Sequence, residues 1–139
     1  MALKDEILGV IKGPKLSALG TVIEESGQIF PVVRYMVTTG RDDLSLTAFT
    51  SASSRKVMQI EKNPNASLTI RNEGSFSSPY VTIRAKAEII RDPETKRKLW
   101  GPHLEKNVKN PEDPKYVAIR LVPSLIEYYS EGKVEVWKS

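Results

Sequence analysis

"YVTIRAKAEII", residues 80–90, alternates with a period of two along its whole length. Val81, Ile83, Ala85, Ala87 and Ile89 leave one face of such a strand, and Thr82, Arg84, Lys86 and Glu88 leave the other. One apolar and one polar face describe a strand with a core on one side and water on the other, the usual state of an antiparallel sheet. The same period recurs on the N-terminal side in "LSALGTVIE" (16–24), "IFPVVRYMV" (29–37), "LSLTAFT" (44–50) and "ASLTIR" (66–71). "ESGQ" and "TGRDD" read as turns between the first three, and "NEGSFSSP" as the hairpin connection into 80–90. On the C-terminal side "YVAIRLVP" (116–123) is followed by two short strands, "LIEYY" (125–129) and "KVEVW" (133–137), folded about Glu131-Gly132.

Three helices interrupt the strands. "LKDEILGVIK" (3–12) places Leu3, Ile7, Leu8 and Ile11 at helical spacing before Gly13-Pro14. Arg55 opens a second, which stops at Asn63-Pro64. Asp92-Pro93-Glu94 supplies a cap, a proline at the first helical position and a first-turn acid for a third, running to about Trp100. Six or seven antiparallel strands with helices at the joints predict a mainly β fold, a small β-barrel with helical decoration. No repeat or linker divides the 139 residues, so one domain, 1–139, is expected.

Composition excludes several chemistries. The absence of cysteine removes disulfides, cysteine-zinc sites, iron–sulfur clusters and thiol catalysis. A single histidine makes a metal site a poor expectation. "MALKDEILGVIKG" carries Asp5 and Glu6 and reads as no secretory signal, and no segment approaches the ~18 apolar residues of a membrane span. A soluble cytoplasmic protein is expected, with no membrane partner. The net charge of +4 is spread among 17 acids without a block of like charges, and no nucleic-acid motif appears, so no nucleic-acid partner is expected.

Two places carry more than a fold. In "FTSASSRKVMQIEKNP" (49–64) two cations stand in the first turn of a helix, facing the positive end of its dipole at a cost of ~0.3–1 kcal/mol each. An anion at that end, a phosphate above all, would reconcile free N–H groups, Ser and Thr hydroxyls, Arg55 and Lys56. A solvated helix end with two surface cations is the other reading. In strand 29–37, Pro31, Val33, Tyr35 and Val37 share one face, and Val32, Arg34 and Met36 the other. Both faces are largely apolar and are expected to be covered, by a ligand or a partner subunit. Arg34, set between Val32 and Met36, needs an anionic partner: an acid of the chain or a ligand.

The order "RYMVTT", then "LTAFTSASSRK", then "NPNASL" resembles the FMN-binding split-barrel proteins of the pyridoxamine 5′-phosphate oxidase superfamily. The likeness extends through "VTIRAKAEIIRD" and "YVAIRLVPSLIEYY", and the length and "KLW" helix ending are similar to its general-stress-protein-26-like branch. It implies a split barrel of six to seven antiparallel strands of Greek-key type, FMN as cofactor, and a homodimer with flavin at the interface. By resemblance, Arg34 reaches the FMN phosphate and ribityl chain, and Tyr35, Met36 and Val37 line the isoalloxazine through their backbone. Phe49 and Thr50 match the aromatic-Thr pair beside the flavin, and Ser54, Arg55 and Lys56 match the loop and phosphate clamp. Tyr129 falls where the oxidases place a tryptophan that touches the flavin from the other subunit.

The departures are at the substrate end. The oxidases grip their substrate with an R-x-H motif, where this chain has Glu135 and Trp137, and a flavin-contacting Gln is replaced by Tyr80. Vitamin B6 oxidation is therefore not expected. The resemblance implies an FMN-dependent oxidoreductase, with NAD(P)H as a conceivable electron donor. Its competitors are a binder of FAD or the deazaflavin F420, a non-catalytic flavin sensor or store, and a basic oligonucleotide-binding barrel. His103 and Trp137 are expected at the surface or in packing, and Trp100 in packing or as a cap on the pocket.

Overall fold

The structure is a computed structural model describing residues 2–72, 74 and 77–139. Of the "NEGSFSSP" connection, Glu73, Ser75 and Phe76 lie outside the described residues, as does Met1. The described chain runs α1 (Leu3–Ile11), β1 (Gly13–Glu25), β2 (Gln28–Gly40), β3 (Leu46–Ser51), α2 (Arg55–Lys62), β4 (Asn65–Arg71), β5 (Tyr80–Ile90), α3 (Pro93–Leu99), β6 (Tyr116–Ser130) and β7 (Lys133–Lys138). A single 3-10 turn, Pro102–Leu104, lies in the long loop after α3. None of the described helices is long and apolar enough to cross a membrane.

All pairings between these strands are antiparallel, in the order β3-β2-β1-β4-β5-β6-β7, and a β3–β6 pairing closes six of them into a ring. The β1–β2 hairpin turns at Ser26 and Gly27, and the β6–β7 hairpin at Glu131 and Gly132, all four with positive φ. Two such residues in a row make the turn whose twist matches that of the flanking strands. The ring's weakest joint is β2–β3, paired only at Thr39↔Thr47 and Gly40↔Leu46.

The 80–90 stretch behaves as its alternation requires. Val81, Ile83, Ala85 and Ala87 are buried and Ile89 packs against the same core. Leu19, Leu68, Ile70, Ile119, Leu121 and Ile126 complete the interior. α1 closes one end with Ile7, Val10 and Ile11, all at most 2% exposed. Each such side chain contributes about 1.5–3 kcal/mol by leaving water. The closure is tight: a Cβ on Gly40 would stand 2.1 Å from the Ile11 carbonyl oxygen.

Two expectations are corrected. The separate strands 116–123 and 125–129 are one 15-residue strand, β6. Pro123 does not break it because the register shifts there: Ala85 faces Pro123 and Arg84 faces Leu125, leaving Ser124 as the extra residue of a bulge. Ser124 Oγ donates to the Arg84 carbonyl at 3.3 Å. β3 begins at Leu46, not Leu44, because Leu44 sits at φ 72° in a turn fixed by Asp43. The Asp43 carboxylate accepts from Ser45 N–H (2.9 Å) and Ser45 O–H (2.6 Å), which lowers its pKa. Within one chain, the outer face of strand 29–37, expected to meet a ligand or a partner subunit, is open. Ile29, Val33, Tyr35 and Val37 are 68, 67, 77 and 47% exposed, beside Leu16 at 62% on β1.

Candidate functional site

β3 ends at Ser51, and a short turn carries the chain into α2: Ser54 N–H donates to the Ser51 carbonyl at 3.1 Å. Ala52 N–H is held by the Lys115 carbonyl at 2.8 Å. Ser54 takes the cap position with extended backbone, yet its hydroxyl makes no capping hydrogen bond to the helix. It accepts instead from Thr50 Oγ1 at 3.5 Å, while Thr50 Oγ1 accepts from Lys56 Nζ at 3.0 Å. Helix α2 is amphipathic, burying Val57 and Ile60 and packing on β1 and β5. Arg55 and Lys56 are thereby left on the side that looks across to β2.

A cleft of about 980 Å³ lies between α2 and the outer half of the β1–β2 hairpin. Arg34, Arg55, Lys56 and Gln59 line it, with Val22, Ile29, Val32 and Met58 as apolar walls and Glu24 and Glu25 on the hairpin side. Arg34 is partly buried and pairs with no acid among the described residues. Its Nη2 donates to Gln59 Oε1 at 2.7 Å and its Nη1 to the Leu19 carbonyl at 3.3 Å. Burial lowers its pKa. Burial, and then the Arg34 charge, also draw the Lys56 ammonium below its ordinary value. No carboxylate stands within ion-pair distance of Arg34, Arg55 or Lys56 among the described residues. Arg34, Arg55 and Lys56 thus face the cleft with its two acids, Glu24 and Glu25, beyond ion-pair distance, an arrangement that an anionic ligand relieves.

The structure brings Arg34 together with Arg55 and Lys56 at the cleft and joins Thr50, and through it Ser54, to Lys56 by hydrogen bonds. Phe49 precedes Thr50 on β3 and is half-buried. On β2 the Tyr35 and Val37 side chains point to the exposed outer face, while Met36 packs against the core and its carbonyl accepts from Ser17 Oγ at 2.9 Å. Tyr129 lies in the half of β6 that pairs with β5 and β7, beyond the 116–121 half that pairs with β3. It stacks on Tyr80 with ring centroids 4.6 Å apart, and the Arg71 guanidinium lies 5.7 Å from the Tyr80 ring. Within one chain it does not join the cluster.

Two site residues escaped the sequence reading. Gln59 and Thr21, whose hydroxyl donates to Gln59 Oε1 at 2.6 Å, complete the surroundings of Arg34. The spacing of Gln59, four residues after Arg55 on the same helix face, was the available signal; nothing in β1 singled out Thr21. His103 is exposed and lies 3.3 Å from Thr39 Oγ1. Trp100 Nε1 donates to the Val108 carbonyl at 2.8 Å, so the indole pins its own loop. Trp137 packs against the core and Glu135 is exposed. Lys96 is fully buried, donating to the Asp113 and Tyr116 carbonyls at 3.0 Å each.

Comparison with known proteins gives a consistent result. The sequence pattern of the pyridoxamine 5′-phosphate oxidase family matches residues 3–130. The chain is 31% identical over 132 residues to general stress protein 26 of Bacillus subtilis, covering 94% of this chain and 91% of that one. Its fold matches the crystal structure of general stress protein 26 from Bacillus anthracis with a TM-score of 0.81 and 29% identity, over 100% of both chains. A structure described as an F420 reductase shares the fold at a TM-score of 0.64 and 20% identity, over 86% of this chain and 94% of that one.

Proposed function

Since the chain belongs to the pyridoxamine 5′-phosphate oxidase family, we propose that it binds FMN and acts as a flavin-dependent oxidoreductase. One observation carries this reading: Arg34, Arg55 and Lys56 converge on the α2 cleft with no carboxylate of the described residues within ion-pair distance. A phosphate monoester suits that donor set, with Arg as planar fork and Lys as point charge beside free helix N–H groups. When bound, the flavin supplies the hydride and electron chemistry. The chain's own residues bind and orient it: the three cations hold the phosphate, Thr50 and Ser54 fix the Lys56 ammonium, and the β2 backbone at Tyr35–Val37 with Phe49 borders the ring. NAD(P)H is the proposed electron donor.

The assembly in this reading is a homodimer with flavin at the interface. The uncovered apolar strip of β1 and β2, with Tyr35 77% and Leu16 62% exposed, supports it. Tyr129 would then meet the flavin bound across the interface, which accounts for its distance from the cluster of its own chain. The substrate is not pyridoxamine phosphate, because Glu135 repels a phosphate and Trp137 packs against the core where a gripping His would be needed.

The absorption spectrum of the purified protein, with mass analysis of what it releases on denaturation, tests the cofactor. A flavin spectrum and the mass of FMN are expected. The likeness to the F420 reductase favours a deazaflavin as the second reading, and its distinct absorption would identify it. A colourless protein that takes up neither on reconstitution would overturn the cofactor reading.

A further inference from the structure

Arg34 is held by the Leu19 carbonyl and, at the shorter distance, by Gln59, and the chemistry of the second contact is informative. A guanidinium has donors only, so the Gln59 group that faces it must be the amide oxygen. The same oxygen accepts from Thr21 Oγ1 at 2.6 Å and from Arg34 Nη2 at 2.7 Å, and Thr21 is 1% exposed. The oxygen is therefore fixed from two directions, one of them buried. That orientation leaves the amide nitrogen, with two donors, on a side chain that lines the cleft. A carboxylate at this position would hold Arg34 equally well but would cancel its charge. A neutral acceptor holds the cation and leaves the charge available.

We propose that Gln59 is the positioning and specificity-determining residue of the cleft: its oxygen orients Arg34 without neutralising it, and its nitrogen donates to the phosphate of the bound cofactor. The assignment of the ligand rests on the FMN reading above; the orientation of Arg34 does not. Gln59 thus sets selectivity for a phosphorylated flavin over the unphosphorylated one, although it carries no charge.

The test compares FMN and riboflavin affinities of the intact protein with those of Gln59→Glu, Gln59→Met and Thr21→Val. Gln59→Glu keeps both acceptor contacts and adds a negative charge. It should weaken FMN on the order of 10²-fold while riboflavin changes little, and the flavin-free protein should melt higher because Arg34 gains a counter-charge. Gln59→Met, which leaves Arg34 only its contact to the Leu19 carbonyl and removes the donor, should weaken FMN roughly 10-fold, and Thr21→Val should weaken it less in the same direction. Equal losses for FMN and riboflavin, or none, would overturn the proposal. Nitrogen NMR of the Arg34 side chain reads the positioning without any flavin. A restrained guanidinium signal that becomes averaged in Gln59→Met is expected, and an unchanged one would overturn the proposal. If the wild type binds no flavin, the cofactor reading and the phosphate contact fail together, and NMR still decides the positioning.

Discussion

Lys56 holds its charge against both burial and the neighbouring Arg34, and this has a consequence that can be titrated. The folded pKa lies below the ordinary 10.5, so between the two values the unfolded chain carries more protons than the folded one. The stability of the flavin-free protein should therefore rise with pH through that window, since the cost of the cation is fully present only below it. A bound phosphate favours the ammonium and raises its pKa, so binding takes up a proton there. FMN affinity, divided by riboflavin affinity to cancel changes in the ring, should fall as pH rises through the same window, and Lys56→Met should flatten the slope. Fluorescence titrations over a pH series check this. Removing both clamp cations, as Arg55→Ala/Lys56→Ala, deletes two charge-assisted hydrogen bonds of roughly 1.5–3 kcal/mol each and should weaken FMN on the order of 10²-fold or more. Riboflavin should bind both forms alike. The flavin-free double variant should be no less stable than wild type, because two cations leave the positive end of a helix dipole.

At the scale of elements, the contact between α1 and the end of β2 is the tightest the described residues show at a glycine. Gly40 faces the Ile11 carbonyl so closely that any side chain would meet backbone, and backbone cannot rotate away. Overpacking usually costs about 1–3 kcal/mol, and a clash with a fixed carbonyl belongs at or above the top of that range. Gly40→Ala should accordingly lower stability in chemical denaturation by ~3 kcal/mol or more, whereas Gly9→Ala, which meets nothing within 4 Å on the same helix, should be neutral or stabilising. β6 shows the reverse case, a sequence feature that looks disruptive and is not. Pro123 has no N–H to lose, and placing it beside the Ser124 bulge lets one strand pair with β3 over its first half and β7 over its second.

For the molecule as a whole, the uncovered strip on β1 and β2 is the surface through which the proposed homodimer would form. Contiguous apolar surface of this kind marks an interaction site, and an isologous contact through it would join two copies. A charge at its centre should separate them: Val33→Asp or Tyr35→Asp is expected to convert a dimer to a monomer in sedimentation velocity and to weaken flavin binding with it. Wild-type protein sedimenting as a monomer at micromolar concentration with flavin fully bound would refute the dimer. Activity completes this scale. Pyridoxamine phosphate should not be oxidised at rates near ordinary turnover, about 1 s⁻¹ or above, whatever the flavin content.

By itself the sequence determined the period-two strands, the helix capped at Asp92, the turns at Ser26-Gly27 and Glu131-Gly132, and the family, because alternation, caps and turn chemistry are local properties. It also put Arg34, Arg55 and Lys56 forward, since cations in an apolar strand and at a helix start are locally unfavourable and so conspicuous. Tertiary structure alone decided their partners. An acid of the chain or a ligand was open for Arg34 until the fold brought Gln59 and the Leu19 carbonyl to it and kept the described acids beyond ion-pair distance. The join of 116–123 to 125–129 likewise depends on a register shift opposite Arg84 and Ala85, 40 residues away in the chain for Ser124. Which faces are bare is also a property of the closed ring: a strand with two apolar faces states that both need covering, and only the packed barrel shows that one of them remains open.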